Sequence, residues 1–310
     1  MLRSFASYIL RGRSHAILVA TSTAILALLL PLLSHLSGAT IALVTLRKRL
    51  PEGLLVLCGA GLILAVIGYF SSISFPMVRA FLVSTLLVVW LPVVCAAEVL
   101  RRWRSLGAAL STAAVYGVLA MLILYLSVDD VGQWWRTMLD NVLTPLLEGA
   151  PVPLSAADKA RLLTSLSGVM TGFMAAAIVY STMINLFIGR WLQAMLYNPG
   201  GFASEFQALR LGRGMAVAAG IVLLLSSVTS GGGSHFLVNL VILVVAVYSF
   251  HGLALVHALV AAMHARKAWL YGLYILMLFV LPQVLMVLSA AGFADSWIDF
   301  RARLRHRNGR

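Results

Sequence analysis

The chain has 310 residues, 61% hydrophobic and only 11% charged, with a mean hydropathy of +0.98, whereas a soluble domain carries about 25% charged residues. Lys and Arg outnumber Asp and Glu by 23 to 10, yet the basic residues form small clusters at the ends of apolar blocks. That placement fits helix ends at a membrane surface and argues against nucleic-acid binding, for which no separate basic domain exists.

Backbone N–H and C=O groups have no water to bond in hydrocarbon, so the apolar blocks must be helices, and no short alternating strands of a barrel are visible. The predicted fold class is all-α, a polytopic transmembrane helical bundle of about 8–10 spans. Arg3, Arg11 and Arg13 precede the first block; no A-x-A site follows, so an uncleaved span is expected rather than a signal peptide. Blocks then run over 16–33, 37–46, 54–71, 76–97, 106–127, 166–189, 214–229, 236–263 and 268–291. Pro31 and Gly38 interrupt the first stretch. Placing Arg47, Lys48 and Arg49 on the N-terminal side of the membrane requires two crossings there. Within the first block Ala16, Ala20 and Ala24 form a stripe of small residues, which reads as a docking face for a partner subunit or as internal packing. Gly168, Gly172 and Ala176 repeat the pattern. Cys58 and Cys95 lie inside blocks without paired spacing, as small buried hydrophobes.

Charge alternates consistently through six spans. Arg101, Arg102 and Arg104 fall on the cytoplasmic side, as do Arg190, Arg210 and Arg213. The segment 128–165 falls outside and holds five of the ten acids, Asp129, Asp130, Asp140, Glu148 and Asp158. Trp134–Leu147 and Ser155–Leu163 read as amphipathic helices, with Ser155 and Asp158 as a capping box and Trp134 and Trp135 in an interfacial belt.

The loop after the sixth span is the most distinctive stretch: Arg190, then Tyr197, Asn198, Pro199, Gly200, Gly201 and Phe202. Pro199 with the two glycines predicts a tight turn, and Ser204 is expected to cap a short helix carrying Glu205, Phe206, Leu209 and Arg210. No GK[ST] follows, so this is not a phosphate loop. It reads as a coupling element, as a lipid-facing site on the cytoplasmic side, or as an interfacial turn and helix that only anchors the fold. Glu98 and Arg79, near span ends, are expected to snorkel. His251, His257 and His264 are spaced too widely to share a metal on one helical turn. Asn185, Asn239 and Gln283 predict hydrogen bonds between helices, and Pro31, Pro92 and Pro282 predict kinks. Asp295, Trp297, Asp299 and Arg301 mark the exit from lipid to a basic tail. Alternation would place that tail outside and charge places it inside, so 236–263 is expected to break at Ser249-Phe250-His251-Gly252, at the cost of putting Arg266 and Lys267 outside. No catalytic motif, cofactor site or metal site is read.

Three stretches carry a resemblance: Ser37 through Arg47 with Gly53, the Tyr197–Phe202 loop with Glu205 and Arg210, and the Asp295-x-Trp297-x-Asp299-Phe300-Arg301 ending. Together they resemble the YybS-like family of bacterial multipass membrane proteins. That family is distantly similar to the substrate-binding (S) components of energy-coupling factor transporters. The resemblance implies a six-helix core with both ends cytoplasmic, and a first-helix alanine stripe, here Ala16, Ala20 and Ala24, that docks on a coupling subunit. The expected organisation is a core over 1–189 including the outer segment 128–165, a cytoplasmic loop and helix over 190–213, membrane helices over 214–294 and a basic tail over 295–310. The expected function is a small-molecule binding or transport subunit of the bacterial inner membrane, its ligand among the first six helices beneath 128–165. The alternative is a non-transporting scaffold or assembly partner acting through the loop and tail. Expected partners are the lipid bilayer, a membrane subunit and a small-molecule ligand, without nucleic acid.

Overall fold

The computed structural model describes residues 2–71, 74–148, 155–229 and 232–303, and within them every element is a helix. Arg305, Arg307 and Arg310 of the basic tail lie outside the described residues. Six helices are long and apolar enough to cross a membrane: Leu50–Phe70, Phe75–Trp103, Leu106–Ser127, Met170–Tyr197, His235–Ala262 and Leu281–Ile298. The protein is a multipass membrane bundle.

A short helix α1 (Leu2–Leu10) leads into α2 (Arg13–Leu26), which turns through residues 27–32 around Pro31 into α3 (Leu33–Lys48). The first stretch is therefore a hairpin, as the charges required, and Gly38 lies within α3 rather than at a break. The chain goes on through α4 (Leu50–Phe70) to α5 (Phe75–Val83), a π-helical stretch Ser84–Trp90 and α6 (Leu91–Trp103), then α7 (Leu106–Ser127). The π-helical stretch ends two residues before Pro92, which has no N–H to donate and would crowd the carbonyl one turn back; widening the turn accommodates it. The outer segment folds as α8 (Val131–Glu148) and α9 (Ala156–Ser167). Ser155 Oγ accepts from the Asp158 N–H at 3.1 Å and donates to Asp158 Oδ2 at 2.6 Å, the capping box read from sequence. The long α10 (Met170–Tyr197) follows, then α11 (Gly201–Gln207), α12 (Arg213–Val228), α13 (Gly232–Ala262), α14 (Ala268–Phe279) and α15 (Leu281–Ile298).

Close helix contact organises the first half. A Cβ on Gly189 of α10 would sit 2.7 Å from Ala42 Cβ of α3, so only glycine permits that approach. Trp90 is fully buried, and its Nε1 donates to Ser37 Oγ at 3.0 Å while Ser37 Oγ donates to the Ala20 carbonyl at 2.7 Å. Asn185 Oδ1 and His35 Nδ1 meet at 2.8 Å, a bond between α10 and α3. Asn185 and Asn239 thus join helices as expected; Gln283 is exposed instead.

Two expectations are corrected here. Ala16, Ala20 and Ala24 are 1%, 0% and 3% exposed, because α3 and α4 already cover the stripe. The small residues serve internal packing, and the docking face expected for a partner subunit is closed. The second correction concerns the last third. α13 runs unbroken through Ser249-Phe250-His251-Gly252, since a helix in lipid that breaks mid-span strands backbone groups. The break falls at Val280 instead (φ −135°, ψ 51°), with Pro282 in the first turn of α15. At about 1.5 Å per residue, the 12 residues of α14 rise roughly 18 Å, short of the ~30 Å of a bilayer core. α14 lies along the final turns of α13, from Val256 to Met263, and α15 returns across α13 to end beside Arg210. α14 and α15 form a helical hairpin packed on α13, with Arg266 and Lys267 following the end of α13 and Arg301 following the end of α15.

One end of the bundle collects the basic residues. Arg13 pairs with Glu52 at 2.5 Å, Arg3 Nε donates to the Met195 carbonyl at 3.2 Å, and Gln193 Nε2 donates to the Leu46 carbonyl at 3.4 Å. Glu98 is buried rather than snorkelled, and accepts from Arg101 and Arg102.

Candidate functional site

At the end opposite the basic one, α8 and α9 form a cap. Asp140 holds Lys159 at 2.8 Å across the two helices, and that hydrogen bond keeps the Asp140 carboxyl below the usual carboxylate range. Trp135 is committed to the bundle, its Nε1 donating to Thr171 Oγ1 of α10 at 2.9 Å. Beneath the cap lies a polar cavity of about 470 Å³ lined by Tyr125, Asp129, Asp130, Arg136, Ser167 and His235, among others. Both signs of charge face it. The cavity lies at the outer segment rather than among the first six helices: residues 128–133, Arg136 and Thr164 of that segment form much of its wall, and His235 comes from α13.

Asn239 holds that wall together. Its Oδ1 accepts from the Gly172 N–H at 2.5 Å, and its Nδ2 donates to the carbonyls of Gly168 at 2.9 Å and His235 at 2.7 Å. Gly172 lies in the first turn of α10, where N–H groups have no partner within the helix, so a side chain from α13 supplies the cap. The Gly168, Gly172 and Ala176 stripe is where α13 seats: a Cβ on Gly172 would meet the Asn239 carbonyl at 2.8 Å. Asn239→Ala leaves the buried Gly172 N–H unmet and is expected to destabilise the protein by about 2 kcal/mol. Thermal unfolding in detergent, with Asn239→Asp as the variant that keeps the acceptor, measures it.

At the basic end, the two stretches singled out in sequence come together. Arg190 pairs with Glu205, and Arg47 stacks on the Tyr197 ring with its Cζ 4.0 Å from the centroid. Asn198 ends α10, Pro199 and Gly200 form the turn, and Gly200 has φ +85°, a left-handed geometry that needs glycine. α11 begins at Gly201, so Ser204 lies inside it with Oγ on the Gly201 carbonyl, and Leu209 and Arg210 lie past its end; the expected Ser204 cap is not formed. Phe202 and Phe206 pack on Phe187. Arg210 makes a two-pronged pair with Asp299, both distances 2.8 Å, and Arg301 donates to the carbonyls of Gln207 at 2.7 Å and Leu209 at 3.0 Å. Trp297 is exposed and edge-on to Phe293.

Sequence reading missed the partner of His251. Its Nε2 lies 3.1 Å from Asp295 Oδ2, both side chains 1% exposed, and Asp295 Oδ1 accepts from the Phe300 N–H at 2.9 Å. Arg301 Nε stands 3.6 Å from the same carboxylate. His251, an ionisable side chain within an apolar block, was the available signal, since such groups seek a partner; Asp295 stood past the last block and 44 positions away, which hid the pairing.

Comparison with family models, curated proteins and solved structures returns no match to the chain.

Proposed function

We propose that the protein is a small-molecule binding or transport subunit of the bacterial inner membrane, similar in plan to the S components of energy-coupling factor transporters. The polar cavity beneath 128–165 carries this reading. Its ~470 Å³ falls within the roughly 300–1,000 Å³ of small-molecule sites. Carboxylates, a guanidinium and an imidazole among its lining residues suit a polar ligand bearing both charges or both donors and acceptors. In this reading the basic end is cytoplasmic by the excess of Arg and Lys there, both termini share that side, and the cavity opens to the outside.

Native mass spectrometry of protein purified from its own membrane tests the reading. A retained metabolite is expected, and its re-addition at a hundredfold excess over Kd stabilises the protein by about 2.7 kcal/mol. Arg136→Ala, which removes a charge from the cavity wall, is expected to abolish the shift. No retained metabolite, and no shift across a panel of vitamins, amino acids and nucleosides, would refute the proposal.

A further inference from the structure

A second cavity, of about 570 Å³, opens at the basic end among the last turns of α3, α6 and α10, lined by Leu46, Arg47, Leu100, Arg101, Arg104, Arg190, Gln193, Tyr197, Asn198 and Glu205. Four guanidinium groups face it against the single carboxylate of Glu205. Arg190 is fixed by Glu205, and Arg101 by Glu98 behind the wall at 2.6 Å. Arg47 is held flat on Tyr197, and among the described residues no carboxylate pairs with Arg47 or Arg104. Three helix C-termini point the same way and contribute roughly half a negative charge each, which the four guanidinium groups outweigh even with Glu205 counted.

Arg104 is the least expected residue of the set. It ends α6 in the left-handed region (φ 51°, ψ 33°), where glycine or asparagine is the unstrained choice. A strained arginine at a helix end marks a place where the side chain matters more than the turn. Beside the mouth, Trp103 and Trp191 are 71% and 42% exposed, as tryptophans are at headgroup depth. We propose that this cavity binds a phosphate group, with Arg47 and Arg104 as its principal ligands. Guanidinium forks match phosphate oxygens two at a time, and a site at headgroup depth admits phosphate from an anionic lipid or from a soluble phosphate compound.

The test compares wild type with Arg104→Gly, Arg47→Gln and a control, Lys267→Gln, a cation at the same end but outside the cavity. Each is measured in nanodiscs of phosphatidylcholine with or without phosphatidylglycerol, and separately in detergent with inorganic pyrophosphate. Readouts are lipid adducts by native mass spectrometry and the melting temperature. The expected result is about tenfold weaker retention or pyrophosphate affinity in either arginine variant, with the control unchanged. Arg104→Gly relieves the turn, so its unliganded melting temperature should equal or exceed wild type, which keeps the test sound if Arg47→Gln folds poorly. Adducts of phosphatidylglycerol alone identify the lipid as source, and a pyrophosphate response alone identifies a soluble compound. Equal binding by wild type and Arg104→Gly, or an equal loss in Lys267→Gln, would overturn the proposal.

Discussion

Gly252→Ala is expected to be among the most damaging single-methyl changes available in this protein, costing about 3 kcal/mol or more. α13 and α15 touch backbone to backbone: a Cβ on Gly252 would collide with the Leu288 carbonyl, and one on Gly292 would lie 2.6 Å from both Gly252 N and the Tyr248 carbonyl. Neither neighbour is a flexible side chain that can swing aside, so the helices must separate. Separation would strip packing from Tyr248, which is 1% exposed. Gly272→Ala is the control. Nothing lies within 4 Å of a Cβ there and the position is helical, so alanine should stabilise by about 1 kcal/mol. Thermal or denaturant unfolding of the two variants in one detergent decides it; equal stability would mean that α15 does not seat on α13 as described.

Asp295→Ala is expected to cost about 3–5 kcal/mol, the usual penalty for removing one partner of a buried charged group. The carboxylate is enclosed by His251 Nε2, the Phe300 N–H and Arg301, so its loss leaves several polar groups facing a hole. Asp295→Asn separates charge from hydrogen bonding. It retains an oxygen for the Phe300 N–H while removing the negative charge near Arg301, and should fall between wild type and alanine. The consequence extends to the surface, because Arg301 holds the Gln207 and Leu209 carbonyls. Proteolysis of the 207–213 stretch is therefore expected to accelerate in Asp295→Ala. Unchanged protease resistance would show that the loop stands independently of α15.

Local rules carried much of the architecture. Block 106–127 coincides with α7, because uninterrupted hydropathy and a serine N-cap leave no other solution; Ser105 Oγ accepts the Ala108 N–H at 3.2 Å. The Ser155–Asp158 cap likewise depends on neighbours only. What failed depended on partners far away in sequence. Block 268–291 reads as one apolar run, and Pro282 marks a kink, yet whether a kink becomes a reversal depends on α13 offering Gly252 as a seat. The alanine stripe is the same case: Ala16, Ala20 and Ala24 permit close approach, and spacing alone does not say whether α3 or another chain approaches. Of the sites, the cavity at the cap was legible only in part: Asp129 and Asp130 of the acid-rich segment line it, but His235 comes from α13 and the remaining acids lie elsewhere. The cavity at the basic end was not, since Arg47, Arg104 and Arg190 belong to three separate helix ends.

The pairing of Arg210 with Asp299 also has a consequence for synthesis. The two residues are 89 positions apart, so Arg210 leaves the ribosome roughly 5–20 s before its partner. During that interval the Gln207 and Leu209 carbonyls also lack the guanidinium that later binds them. The nascent bundle therefore passes through a stage with its basic loop unlatched, until the end of α15 supplies Asp299 and Arg301 to close it.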